Sequence, residues 1–174
     1  MRKVIFFALI GMAAGLMNCS TDMKVCVKDV SPATIAAVPQ AQLNTDIARI
    51  KTYTNAIGAV NVVEDPSGLR YSITSVGTGD TPCLSSTVRV AYSGRVLLPL
   101  NNNTLSNVPF DSNTGVDFLL TDLILGWQIA FPKFPAGTQV TLYVPSGLAY
   151  GTRIQGNIQP NSVLVFEINL IDFQ

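Results

Sequence analysis

The sequence predicts an α+β fold: an antiparallel β-sheet wrapped around one short α-helix, preceded by a tether and one amphipathic helix. Three observations carry this. Several segments alternate apolar and polar residues with period two, as strands with one buried face do. A single short helical stretch interrupts them. One longer helical pattern precedes them all.

The chain opens on Arg2-Lys3 and an uncharged run from Val4 to Leu16. A positive n-region before a short apolar h-region is the pattern of an export signal. The run is shorter than the roughly 20 residues that a membrane-spanning helix needs. Leu16-Met17-Asn18-Cys19 then resembles the lipobox of bacterial lipoproteins, with residues 1–18 as signal peptide and Cys19 as the lipidated first residue. Plain secretion is the alternative. Residues 19–38 lack periodicity and read as a tether.

Residues 39–67 form a helix and linker. Leu43, Ile47, Ile50 and Ile57 recur at helical spacing, Tyr53 fills the gap, and Gly58 offers a stop. The apolar stripe needs a partner surface, either its own domain or a second copy of the chain. A homodimer through the 39–57 helix is the second option.

Asp65-Pro66-Ser67-Gly68 is a turn signal and marks the start of the main domain, residues 68–174. Tyr71 to Val76 alternates. So do Val88, Val90 and Tyr92 against Arg89 and Ala91, and Val140, Leu142 and Val144 against Thr141 and Tyr143. Leu164, Phe166, Ile168 and Leu170 alternate with Val165, Glu167 and Asn169. The short helix runs near Leu125 to Phe131, where Pro132 limits it by removing a donor. Fifteen residues separate Gly94 from Phe110, Asn-rich from Asn101 to Asn107, and they read as a surface loop.

Composition excludes much chemistry. The chain has no histidine, which removes Ser-His-Asp triads, Cys-His pairs and His-ligated zinc. Without Arg2 and Lys3, nine basic residues face eleven acidic ones, and no basic patch supports nucleic-acid binding. Beyond Cys19 stand Cys26 and Cys83, an even pair suited to an oxidising compartment. They form a disulfide or stay as two thiols; spacing does not decide.

Val90-Ala91-Tyr92-Ser93-Gly94, Phe110-Asp111-Ser112, Phe118, Leu123-Ile124-Leu125-Gly126-Trp127 and Leu148-Ala149-Tyr150-Gly151 follow one another in order. Pro160-Asn161-Ser162 then leads into Leu164-Val165-Phe166-Glu167. This ordered set resembles the FKBP-type peptidyl-prolyl isomerases from about Gly68 to Gln174. The resemblance implies an aromatic pocket for proline. Trp127 would be its floor and Tyr92, Phe110, Phe118 and Phe166 its walls, with Leu123 and Ile158 alongside. The Tyr150 hydroxyl would donate to the substrate carbonyl, and the Ile124 amide would hold the chain after proline. Asp111 would be an orienting acceptor for the Tyr92 hydroxyl. No cofactor or metal is implied.

Taken singly, Trp127, Phe118 and Phe166 read as core. The sequence also departs from the family pattern. Val116 stands where an aromatic is frequent, and Gly156-Asn157-Ile158-Gln159 lacks the frequent tandem proline. The implied function is isomerisation of proline-containing polypeptides during folding of exported proteins. The implied place is the bacterial cell envelope, at the outer membrane or periplasmic face, anchored through Cys19. A non-catalytic proline-binding or chaperone module on the same fold is the alternative.

Overall fold

A computed structural model describes residues 25–98, 104–106 and 109–174. The expected signal peptide, Cys19 and the first part of the tether lie outside the described residues.

Six antiparallel strands form one sheet in the order β1-β2-β5-β6-β3-β4. They are β1 (Val63–Glu64), β2 (Arg70–Ser75), β3 (Thr87–Val96), β4 (Asp111–Leu119), β5 (Gln139–Val144) and β6 (Leu164–Phe173). Helices α1 (Pro32–Ala36) and α2 (Gln40–Ala56) precede the sheet, and α3 (Leu125–Ala130) packs inside its curve. Val88, Val90, Leu142, Leu164 and Leu170 meet α3 from the inner face and are fully buried. The alternation in β3, β5 and β6 produces this face directly.

The sheet is not covered on one side alone. Tyr143 and Val165 point the other way from Leu142 and Phe166, and they too are buried. Ile50 and Tyr53 of α2 cover them, joined by Leu97 and Val163 in a second core. Leu43 of the same helix enters the main core. One apolar stripe therefore closes two cores within its own chain. Each such side chain contributes about 1.5–3 kcal/mol when fully buried. The helix ends where expected: Ile57 is the cap and Gly58 follows at φ +63°, a left-handed position that glycine occupies without strain.

Two expectations need correction. Residues 25–38 are largely exposed but docked, not a free tether. Val30 and Ile35 pack on the main core and Val38 joins it. Ser31 caps α1 by accepting from the Thr34 amide at 3.2 Å, with Pro32 at the first helical position. Cys26 and Cys83 are joined as a disulfide, their Cα atoms 5.2 Å apart, and the Leu84 amide donates to the Val27 carbonyl at 2.8 Å.

Most of the Asn-rich stretch expected as a surface loop lies outside the described residues, but the described residues at its two ends pair. β3 continues to Val96, Leu97 bridges Leu105, and the Leu98 amide donates to the Thr104 carbonyl at 2.9 Å. Burial of Leu97 in the second core explains the return. Finally, the linker before Gly68 contains strand β1, which pairs with β2 through Val63–Tyr71 and Glu64–Arg70.

Candidate active site

The site lies where β3, β4 and α3 converge. β3 carries Val88 and Val90 into the core, and Tyr92 follows on the same face. β4 runs antiparallel beside it, Gly94 opposite Asp111, with a register shift between Val90 and Tyr92. This register brings the Tyr92 hydroxyl to Asp111, where it donates to Oδ2 at 2.6 Å. Gly94 is needed between them. A Cβ there would stand 2.6 Å from Phe110 Cζ and 2.8 Å from Phe166 Cε1, so only glycine lets the two rings close over the strand.

Trp127 sits one turn into α3 and is 3% exposed. Its ring meets those of Tyr92, Phe131 and Phe166 at centroid distances of 5.4, 5.1 and 5.2 Å, and Phe118 at 6.5 Å. Phe166 in turn meets Phe110 at 5.6 Å. The interplanar angles run from 78° to 87°, the edge-to-face geometry that aromatic quadrupoles favour. The buried indole Nε1–H has no acceptor among the described residues. Ile124 caps α3, and its amide makes no hydrogen bond among the described residues, as first-turn amides commonly do not.

Tyr150 follows β5 on a loop that opens with a 3-10 turn, Ser146–Leu148. The Ser146 carbonyl accepts the amides of Ala149 at 3.0 Å and Gly151 at 2.8 Å, which flank Tyr150. Ser146 is held in turn by Asp46 of α2. Its amide and hydroxyl donate to Asp46 Oδ2 at 2.8 and 2.5 Å, and Gln42 Nε2 donates to Oδ1 at 2.9 Å. Asp46 is fully buried. Sequence reasoning missed this anchor. The available signal was an acid on the apolar face of the helix, between Leu43 and Ile50.

Electrostatics tie the three polar groups together. Burial, then the hydrogen bond and negative charge of Asp111, push the Tyr92 hydroxyl well above the ordinary tyrosine range. Burial and then Asp111 also raise Tyr150, with Arg153 opposing. One carboxylate thus acts on both phenols. Among the described residues nothing accepts a hydrogen bond from the Tyr150 hydroxyl, and no arginine pairs with Asp111.

Phe110, Asp111, Tyr150 and Ile158 line a cleft of about 280 Å³ with the turn Gln155–Ile158, which two backbone hydrogen bonds of 3.1 and 2.9 Å close. Tyr92, Phe118, Trp127 and Phe166 form the ring cluster next to it and do not line it. Leu123 and Ile124, at the start of α3, do not line it either. A larger cleft of about 450 Å³ lies between α1 and Lys133, but no aromatic ring lines it.

Residues 79–171 match the family described as FKBP-type peptidyl-prolyl cis-trans isomerase. The chain belongs to that family. It is 38% identical over 111 residues to the outer membrane protein MIP of Legionella longbeachae, which covers 63% of this chain and 46% of the relative. It therefore spans about half the length of that relative. Among solved structures, FkpA from Escherichia coli matches with a TM-score of 0.63 and 28% identity over 78% of this chain and 64% of its own. A peptidyl-prolyl cis-trans isomerase from Pseudomonas syringae matches at 0.60 and 29% identity, over 84% of this chain and 98% of its own. These likenesses extend to the α+β architecture seen here.

Proposed function

We propose that this chain is a peptidyl-prolyl cis-trans isomerase that assists the folding of exported polypeptides. The observation that carries the reading is the Tyr92–Asp111 hydrogen bond, set between the Trp127 ring cluster and the Tyr150 hydroxyl.

The chemistry asks for such an arrangement. Rotation of an Xaa-Pro amide crosses a barrier of about 18–20 kcal/mol because resonance is lost. Uncatalysed exchange takes roughly 10–100 s. No bond breaks and no proton leaves, so rate is gained by binding the twisted amide more tightly than either planar form. The twisted amide has less charge separation, and a water-poor aromatic wall favours it. In this reading Phe110 and the rings behind it, down to Trp127, grip the pyrrolidine, with Phe118 and Phe166 as walls and Leu123 and Ile158 at the margin. Tyr150 donates to the carbonyl before proline, and the Ile124 amide holds the chain after it. Asp111 accepts from Tyr92 and so orients it; it is not a base.

Attachment at Cys19 would place this activity at a membrane surface of the bacterial envelope, consistent with a relative called an outer membrane protein. Several acyl chains are needed for stable anchoring, since one is marginal. Leu43, Ile50 and Tyr53 of α2 are covered by its own chain, which leaves Ile57 as the exposed apolar residue of that stripe for a homodimer contact through residues 39–57.

The decisive experiment is exchange spectroscopy on an apolar-Pro peptide without metal or nucleotide. Acceleration at catalytic protein concentration is expected. No acceleration at high concentration would overturn the enzyme reading and leave a proline-binding module. Mass spectrometry of the native N-terminus tests the anchor: an unmodified Cys19, or an intact Met1, refutes it.

A further inference from the structure

Beside the candidate catalytic cleft lies a second one of about 400 Å³, lined by Arg49, Leu97, Pro109, Phe110, Asn157 and Pro160 among others. Phe110 and Asn157 line both, so the two adjoin. Arg49 comes from α2, which lies outside the matched family segment. Its Nη2 donates to the Leu97 carbonyl at 3.0 Å, which fixes the guanidinium beside the end of β3. Among the described residues no carboxylate pairs with it. The ion pairs among the described residues are Arg70–Glu64, Arg89–Asp117 and Lys133–Asp65. A guanidinium held in place on a largely apolar groove, with donors to spare, is suited to a carboxylate.

We propose that this groove is a substrate subsite for the residues preceding the proline, and that Arg49 there selects an acidic side chain. The inference rests on the isomerase reading above. The direction follows from which residues are shared. Phe110 and Asn157 stand on the side of Asp111 and Tyr150, where the carbonyl before proline is held. Ile124, the grip on the chain after proline, lines neither cleft. An extended chain advances about 3.3–3.6 Å per residue, so a few residues reach from one cleft into the other. The substrate class is therefore a polypeptide with an acidic residue a short distance before its proline.

The test is a peptide series on the intact chain, with one glutamate walked through the second, third and fourth positions before the proline. All-alanine and lysine peptides serve as references. At one position glutamate should raise kcat/KM about two- to fivefold over alanine, the range of a partly exposed ion pair. Lysine there should lower it, and added salt should shrink the difference. R49Q should bring the glutamate-to-alanine ratio to about one, while R49K keeps the same order of preference. A ratio near one at every position overturns the proposal, as does a preference that survives R49Q. If even the alanine peptide is not turned over, the isomerase reading fails separately. Binding of the same peptides, followed by calorimetry, then judges the subsite on the same ratios.

Discussion

Asp46→Ala should be among the most damaging single changes in the N-terminal helix. Asp46 is fully buried and accepts three hydrogen bonds, from the Ser146 amide, the Ser146 hydroxyl and Gln42. Alanine strands two buried donors on Ser146. A hydrogen bond to a charged group contributes about 1.5–3 kcal/mol, and a buried donor left alone costs about 1–3 kcal/mol. The two Ser146 bonds share one oxygen, and removing a buried carboxylate recovers some desolvation, so the net loss should be about 2–4 kcal/mol. Against a typical 5–15 kcal/mol for a domain, the protein stays folded but visibly weakened. Urea unfolding should show a lower midpoint with an unchanged slope. Activity should fall further than the folded fraction explains, because the Ser146 carbonyl aligns the amides on either side of Tyr150. Asp46→Asn keeps an acceptor for Ser146 and should recover at least half of both losses. A midpoint for Asp46→Ala corresponding to less than about 0.5 kcal/mol, the scatter of ordinary surface changes, would refute the reasoning.

Five further outcomes are expected. Trp127→Ala opens a cavity among four rings and should cost about 3–5 kcal/mol with parallel loss of activity. Tyr150→Phe should leave stability nearly intact and lower kcat/KM several-fold, about one hydrogen bond's worth; unfolding by the tyrosine change instead would reverse the two assignments. Isomerisation should be flat from about pH 6 to about pH 9, since there is no histidine to titrate, and a limb near pH 6.5 in the rate profile would contradict this. Stability should behave differently. The raised Tyr92 and Tyr150 contribute fully below the unfolded value of 10.0 and lose that contribution as pH rises through their folded values. Burial alone would raise Asp65, but hydrogen bonds from Ser67 and the nearby Lys133 hold it lower. Its contribution is therefore present above the unfolded value of 3.8 and fades as pH falls through the folded one. Reducing Cys26–Cys83, which spans 57 residues, should cost roughly 4 kcal/mol in the chain-entropy account; an unchanged melting temperature under dithiothreitol would exclude that.

The elements that alternation made legible are those with a continuous buried face, β3, β5 and β6. α3 was legible because Pro132 bounds it. β4 was not, since Asp111 to Gly115 is polar and mostly exposed and takes its register entirely from β3. α1 had a signal, Ser31-Pro32, but five residues with no fully buried member leave no periodicity to read. The docking of residues 25–38 depends on isolated apolar residues, Val30, Ile35 and Val38, meeting a surface built from distant strands. At the site, residue order placed Tyr92, Asp111, Trp127 and Tyr150 near one another. It could not show that Asp46 and Arg49, on the helix before the matched segment, reach the Tyr150 loop and the neighbouring groove.

The Cys26–Cys83 bond sets how the molecule would bear a mechanical load. A pull applied at residue 25 enters the covalent bridge at Cys26 and leaves at Cys83, four residues before β3 begins. Residues 27 to 82, including α1, α2, β1 and β2, lie on a closed branch that carries no tension while the bridge holds. The force reaches β3 instead, which is braced on both sides by β4 and β6. Asp46 and Arg49 sit on the slack branch, and their contacts tie it to Ser146 and Leu97 outside it. A chain tugged from its N-terminal end would thus keep α2 seated against the Tyr150 loop, and only reduction would route the strain through that helix.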